Sequence, residues 1–254
     1  MDIVIAILLY TGVGFIAQMI DGALGMAYGV SSNTFLLSVG VQPKLASACV
    51  HLAETFTTGV SGFSHWKLGN VDKELFKKLI IPGILGAVVG AYILTQIDGN
   101  IIKPWISGYL LIMGIIILVK AIRHNGEHNE VTSHISILGL IGGFFDAIGG
   151  GGWGPIVTTT LVARGKHPRF AIGSVNSSEF FITFSQSVVF VFTLSADLLA
   201  NWPVIVGLLL GGVIAAPLAA MVARKLPVKV LMALVGLLII VLSLRTILMS
   251  MGVI

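Results

Sequence analysis

The sequence predicts an all-α polytopic membrane protein made of two inverted repeats. Each repeat is a glycine-broken, re-entrant helical hairpin plus three transmembrane helices. Three observations predict it. The chain has 254 residues, of which 56% are hydrophobic and 10% charged, with a mean hydropathy of +1.01; a soluble domain carries about 25% charged residues. Its halves align without a gap at a shift of 125 residues. Its basic residues gather in loops whose repeat mates hold few, as expected of two halves inserted in opposite senses.

The first element is apolar from the start. "MDIVIAILLY" has no basic n-region and no small-residue cleavage site follows, so it is a retained span rather than a signal peptide. Four apolar segments follow the repeat in each half: 3–37, 44–64, 79–97 and 102–122, then 135–162, 169–194, 202–223 and 228–250. About 20 helical residues cross about 30 Å of hydrocarbon. Six segments fit one crossing each. The first of each half is too long for one pass and too short for two, and each carries a break, "MIDGALGMAYGV" at 19–30 and "FFDAIGGGGWGP" at 144–155. Residues 1–125 thus form the first repeat and 126–254 the second, together one transport domain.

Matched acids, prolines and glycines carry the repeat. Asp21 aligns with Asp146, Gly25 with Gly150, Pro43 with Pro168, Glu54 with Glu179, and Gly86 with Gly211. Twelve of the fifteen Lys and Arg residues fall in four loops, at 65–78, 120–134, 164–169 and 224–229. The 65–78 and 164–169 loops then share the cytoplasmic side, and 194–202 faces out. On that count 135–162 enters and leaves on one side, and 3–37 does the same from the other. A single kinked span in each half is the other reading; it gives parallel repeats and leaves some basic loops outside. The net charge of +4 is read as an orientation signal and not as a nucleic-acid footprint. The lone Cys49 excludes a disulfide framework.

Broken backbone at membrane depth is tolerated where protein or water covers it. A half-helix start there offers N–H groups and a partial positive charge to an anion. Pro155 suits a first helical position. The expected substrate-binding set is Gly29, Ser31, Ser32 and Asn33 from the first break and Gly154, Thr158 and Thr159 from the second. Ser174, Asn176 and Ser177 join them on the next span. Asp21, Asp146, Gly25, Gly150 and Pro155 are expected to shape the tips.

The span after each break carries a polar stripe. Ser47, His51, Glu54, Thr58 and Ser61 fall on one helix face, and Asn176, Glu179, Thr183 and Gln186 repeat the spacing. A carboxylate inside a membrane is a functional candidate. Glu54, Glu179 and His51 are therefore the expected proton-coupling residues, because a protonated acid beside an anion site would not repel the anion. Hydrogen-bonded glutamates that merely pin the tips are the structural alternative.

The glycine-rich tips "DGALGMAYG" and "DAIGGGGWGP", the proline-led helices "PKLASACVHLAE" and "PRFAIGSVNSSE", and the loop "GFSHWKLGNVD" resemble the TauE/SafE sulfite exporter family across nearly the whole chain. That resemblance implies secondary transport, outward and proton-driven, of a small sulfur oxyanion or organosulfonate through a bacterial inner membrane. The partners it implies are that anion, protons and the bilayer, with room for a homodimer. No cofactor, no nucleic acid and no enzymatic activity are expected. The alternative is a divalent-cation transporter using Asp21, Glu54, Asp146 and Glu179. An intramembrane hydrolase lacks a GxSxG motif near His51, and no Walker A motif supports ATP-driven pumping.

Overall fold

A computed structural model describes residues 3–24, 26–122, 133–164, 166–222 and 228–253. Gly25 and most of the basic stretches within 120–134 and 224–229 lie outside the described residues. Every regular element described is helical: α1 (Ile3–Leu24), α2 (Tyr28–Ser38), α3 (Pro43–Lys67), α4 (Lys73–Gln96), α5 (Gly99–Ile122), α6 (Ile135–Gly149), a π turn (Gly154–Thr158) running into α7 (Thr159–Ala163), α8 (Pro168–Ala200), α9 (Trp202–Val222) and α10 (Val228–Ser250). Ile3–Asp21, Lys73–Gln96, Gly99–Ile122 and Phe170–Ala200 are long and apolar enough to cross a membrane. With leucine, isoleucine and phenylalanine exposed along most helices, this is a multi-pass membrane protein.

Two differences from the sequence reading have local causes. The expected loop at 194–202 is mostly helix: Leu194 leaves helical geometry (φ −128°, ψ 25°), yet α8 continues to Ala200 and the turn narrows to Asn201. Helix α4 starts at Lys73 instead of 79, because Asp72 caps it by accepting the N–H groups of Glu74 (2.9 Å) and Leu75 (3.1 Å).

The glycine breaks do interrupt the helices. Helix α1 spans about 33 Å, whereas α2, with eleven residues, spans about half a bilayer. In the second half the chain doubles back. A Cβ on Gly142 would press on Val157, although fifteen residues separate them and a continuous helix would set them about 22 Å apart. The two ends of that hairpin also meet, Arg164 Nη1 donating to Ser133 O at 3.0 Å.

The halves pack reciprocally. Helix α1 lies along α9 and α4 lies along α6. Small residues bring these backbones together: Gly14 and Gly211 sit against Leu208 O and Thr11 O, and Gly86 and Gly143 against Leu140 O and Gly83 O. Helix α3 lies along α8 in the opposite direction, with Thr55 Oγ1 3.1 Å from Ser187 Oγ and Ser177 Oγ donating to Gly62 O at 3.3 Å. They cross at the repeat-equivalent Thr58 and Thr183, whose hydroxyls are 3.4 Å apart. Helices α5 and α10 likewise meet at Gly114 and its mate Ile239. An ion pair of 2.7 Å, Lys166 Nζ to Asp72 Oδ2, joins the α3–α4 turn to the α7–α8 turn, so those two loops share one face of the molecule.

Candidate functional site

The two breaks meet in the middle of the bundle. Gly150 and Gly151 have positive φ (+65° and +151°), which glycine adopts without strain. Backbone packs there against backbone: a Cβ on Gly151 would strike Val30 N and Gly29, and one on Gly150 would strike the Asn33 amide. Asn33 Nδ2 donates to Gly149 O, tying α2 to the opposite tip. Ala27 enters α2 at φ 106°, an unusual value for a residue with a side chain.

Asp146 organises the second tip. Its Oδ1 accepts the N–H groups of Gly152 and Trp153, both at 2.8 Å, and its Oδ2 accepts Gln186 Nε2 at 2.8 Å. Its carbonyl accepts Gly151 N–H at 3.0 Å. The tip N–H groups of Gly152 and Trp153 thus go to a carboxylate of the chain itself. Of the N–H groups expected to face an anion, near Gly29–Ser31 and Gly154–Ile156, those of Ser31 and Ile156 go to the carbonyls of Ala27 (3.0 Å) and Gly152 (2.8 Å). Asp21 stands in the same relation to the first tip, accepting Tyr28 N–H at 3.4 Å. Pro155 opens the π turn, whose wide winding is common at functional sites.

Helix α3 brings His51 and Glu54 to this tip. His51 Nε2 lies 3.1 Å from Asp146 Oδ2 and 4.0 Å from Glu54 Oε2. On its other side, Nδ1 lies 2.8 Å from Ser47 O, while Ser47 Oγ donates to Ala147 O at 2.6 Å. Glu54 Oε1 is 3.5 Å from where a Cβ on Gly29 would sit, so this carboxylate lies beside the first tip as well. Asn33, Gly29, Glu54, His51, Asp146 and Gln186 are one contiguous cluster, and its side chains are buried.

Several polar atoms here have no protein partner. Ser31 Oγ, Ser32 Oγ, Asn33 Oδ1, Glu54 Oε2, Thr158 Oγ1 and Gln186 Oε1 are all buried and unpaired. Such atoms are rare in folded proteins, since each costs about 1–3 kcal/mol. Thr159 differs: its hydroxyl bonds back to Pro155 O within its own helix.

Ser174, Asn176 and Ser177 are not brought to this cluster. Ser174 Oγ accepts Asp72 N–H at 2.8 Å, Asn176 Nδ2 donates to Ser61 Oγ at 3.2 Å, and Ser177 Oγ donates to Gly173 O at 2.7 Å. Ser174 precedes Gln186 by twelve residues, or about 18 Å of helix, and so belongs to the Asp72–Lys166 face. Glu179 is buried on α8, one turn from Thr183, on the side of the crossing away from Gln186. The four acids and His51 do not form a cation cage: among the described residues no group of three metal-ligating side chains has suitable geometry.

Tyr109 was not marked by the sequence. Its ring packs where side chains on Gly149 and Gly152 would be, and its hydroxyl lies 3.4 Å from Gly151 O. Its repeat mate is Leu234, so the alignment of the halves could not reveal it. Gln186 could be found, because it continues the polar stripe in register with Glu179 and Thr183.

Comparison with known proteins matches the sequence to one family. No solved structure matches the chain. It is 43% identical over 247 residues to the probable membrane transporter protein YtnM of Bacillus subtilis (strain 168), covering 94% of this chain and 82% of that one. It is 29% identical over 146 residues to the probable membrane transporter protein ORF9 of a Sinorhizobium species, 55% of this chain and 54% of the relative. A sulfite exporter TauE/SafE family protein 3 of Arabidopsis thaliana is 25% identical over 120 residues, 47% of this chain and 25% of that one. The family model described as sulfite exporter TauE/SafE matches residues 10–246, and the chain therefore belongs to the TauE/SafE family of membrane transporters.

Proposed function

We propose that the chain is a proton-coupled secondary transporter that exports a small sulfur anion, sulfite or an organosulfonate, across the bacterial inner membrane. The observation that carries this reading is the set of buried, unpaired hydroxyls of Ser31, Ser32 and Thr158, beside Asn33, at the two breaks. Hydroxyls donate to oxyanion oxygens and add no charge of their own. Gly29, Gly154 and Thr159 shape the walls of that centre. Ser174, Asn176 and Ser177 stand at the approach to it from the Asp72 face. Glu54 and Glu179 are the candidate proton carriers, with His51 beside Glu54. The tips touch in this structure, so an anion reaches the hydroxyls when they part.

The repeats are inverted in this reading. Support comes from α3 with α8 and α5 with α10: repeat-equivalent helices that run antiparallel are related by an axis in the membrane plane. The hairpin ends joined by Arg164 and Ser133 support re-entrance from one side.

A thermal-shift screen of purified protein tests the substrate class. Sulfite, sulfoacetate or taurine should raise the melting temperature through binding to the folded state. Stabilisation by divalent cations alone would overturn the anion reading.

A further inference from the structure

The buried ionisable groups do not divide evenly between the repeats. His51, on the first-half helix α3, reaches across to the second tip and contacts Asp146. Its repeat mate Asn176 turns to Ser61 instead. Asp146 holds two tip N–H groups and Gln186, whereas Asp21 holds the single Tyr28 N–H at 3.4 Å among the described residues.

Counting hydrogens shows what this asymmetry does. The Ser47 carbonyl can only accept, so His51 Nδ1, 2.8 Å away, must carry a hydrogen. Asp146 Oδ2, 3.1 Å from Nε2, is an acceptor when ionised, so a second hydrogen must lie between those two atoms. Two hydrogens on the Ser47–His51–Asp146 line are one more than a neutral histidine and an ionised aspartate supply. The geometry therefore describes a proton-loaded centre. Glu54 Oε2, 4.0 Å from Nε2 and unpaired, is the adjacent base that can take the extra proton.

We propose that His51 is a proton-operated clamp: loaded, it ties the second tip to α3 through Asp146, and unloaded, it releases that tip. In the release step the Nε2–H bond breaks and an O–H bond forms at Glu54 Oε2; the Glu54 O–H then gives its proton to bulk water, so the centre as a whole loses one proton. His51 keeps its Nδ1 hydrogen on Ser47 O, and its bare Nε2 lone pair then faces the Asp146 carboxylate, which repels it. This rests on the reading of the chain as a proton-coupled carrier and assigns the coupling to His51 and Glu54 of the first copy, not to two equivalent glutamates. Among the described residues, the ionisable groups on other elements in electrostatic reach of Glu54 or Asp146 are Asp21, Tyr28, Tyr109 and Glu179.

Hydrogen exchange of the Gly151, Gly152 and Trp153 amides, corrected for intrinsic rates, tests the clamp without any substrate. Between about pH 5 and about pH 8, wild-type protection should fall about tenfold or more, the worth of one charge-assisted hydrogen bond. His51→Asn, which installs the second-copy residue, and Glu54→Gln should each flatten that profile, and Glu179→Gln should not. A wild-type profile already flat, a profile unchanged in His51→Asn and Glu54→Gln, or one equally flattened by Glu179→Gln overturns the proposal. If His51→Asn does not fold, Glu54→Gln decides it. Sulfite flux in proteoliposomes is read separately: pH-dependent tips without sulfite flux would keep the clamp and discard the anion reading.

Discussion

Gly151 and Gly40 separate two costs of adding one methyl group. Both have positive φ (+151° and +93°), but Gly40 faces open space and Gly151 faces the backbone of Gly29 and Val30. Gly40→Ala should cost the conformational strain alone, about 1–2 kcal/mol. Gly151→Ala should cost that plus the separation of the tips, and it should lower the melting temperature in detergent by clearly more. Equal losses would mean that the contact between the tips contributes nothing. At Asp146 the expected contrast is between Asn and Ala. Asp146→Asn keeps an acceptor for Gly152 and Trp153, whereas Asp146→Ala strands those donors and Gln186 at about 1–3 kcal/mol each; thermal unfolding of the pair measures it. Gly151 was not singled out by the sequence, its repeat mate being Met26, whereas Asp146 was legible because it recurs as Asp21 in the other break. Tyr109 was not, because its mate is a leucine, and the remoteness of Ser174 was not, because spacing along a helix gives its face but not its neighbours.

Helices here depend on small residues and caps. Gly86 and Gly211 let α4 and α9 lie against the backbones of α6 and α1, so Gly86→Leu and Gly211→Leu should each destabilise by at least about 1–3 kcal/mol through overpacking. Parallel losses are expected, since the two contacts are repeat mates; a silent substitution at either would contradict the reciprocal packing. Gly12, by contrast, has nothing within 4 Å and should tolerate alanine. Asp72 does two jobs, capping α4 and pairing with Lys166. Burial pushes its carboxyl up, but the Lys166 ammonium and the Glu74 and Leu75 N–H groups outweigh that and hold it below the ordinary aspartate value of 3.8. A depressed carboxyl contributes stability above its unfolded value and loses it as pH falls through the folded one. The destabilisation by Asp72→Asn should therefore be constant from neutral pH down to about pH 5 and shrink only in stronger acid. The cap explains why α4 began before the apolar run did: hydropathy marks where a helix enters lipid, not where its hydrogen bonds begin.

Over the whole molecule, the helical, multi-pass character was legible from hydropathy, and the proposed repeat rests on acids and prolines inside apolar segments, which seldom recur by chance at one shift. The proposed inversion of the halves rests on loop charge, which is a statistical guide, and on the antiparallel crossings of α3 with α8 and α5 with α10. Single-cysteine labelling in a Cys49→Ala background checks that reading. Positions 70 and 166 should label from the cytoplasm and position 201 from outside. Labelling of 70 and 201 from one side would contradict inverted insertion. The central claim is that a sulfur anion passes between the two tips together with a proton. Its most direct test is the flux of sulfite and sulfoacetate from proteoliposomes, with protein-free liposomes as the baseline and Ser31→Ala combined with Thr158→Val as the tip variant. The account predicts saturable efflux that quickens when the lumen is acidified and falls at least about tenfold in the variant, the loss of two hydrogen bonds to a charged ligand. Efflux equal to the protein-free baseline, or efflux indifferent to both the proton gradient and the tip hydroxyls, would contradict it.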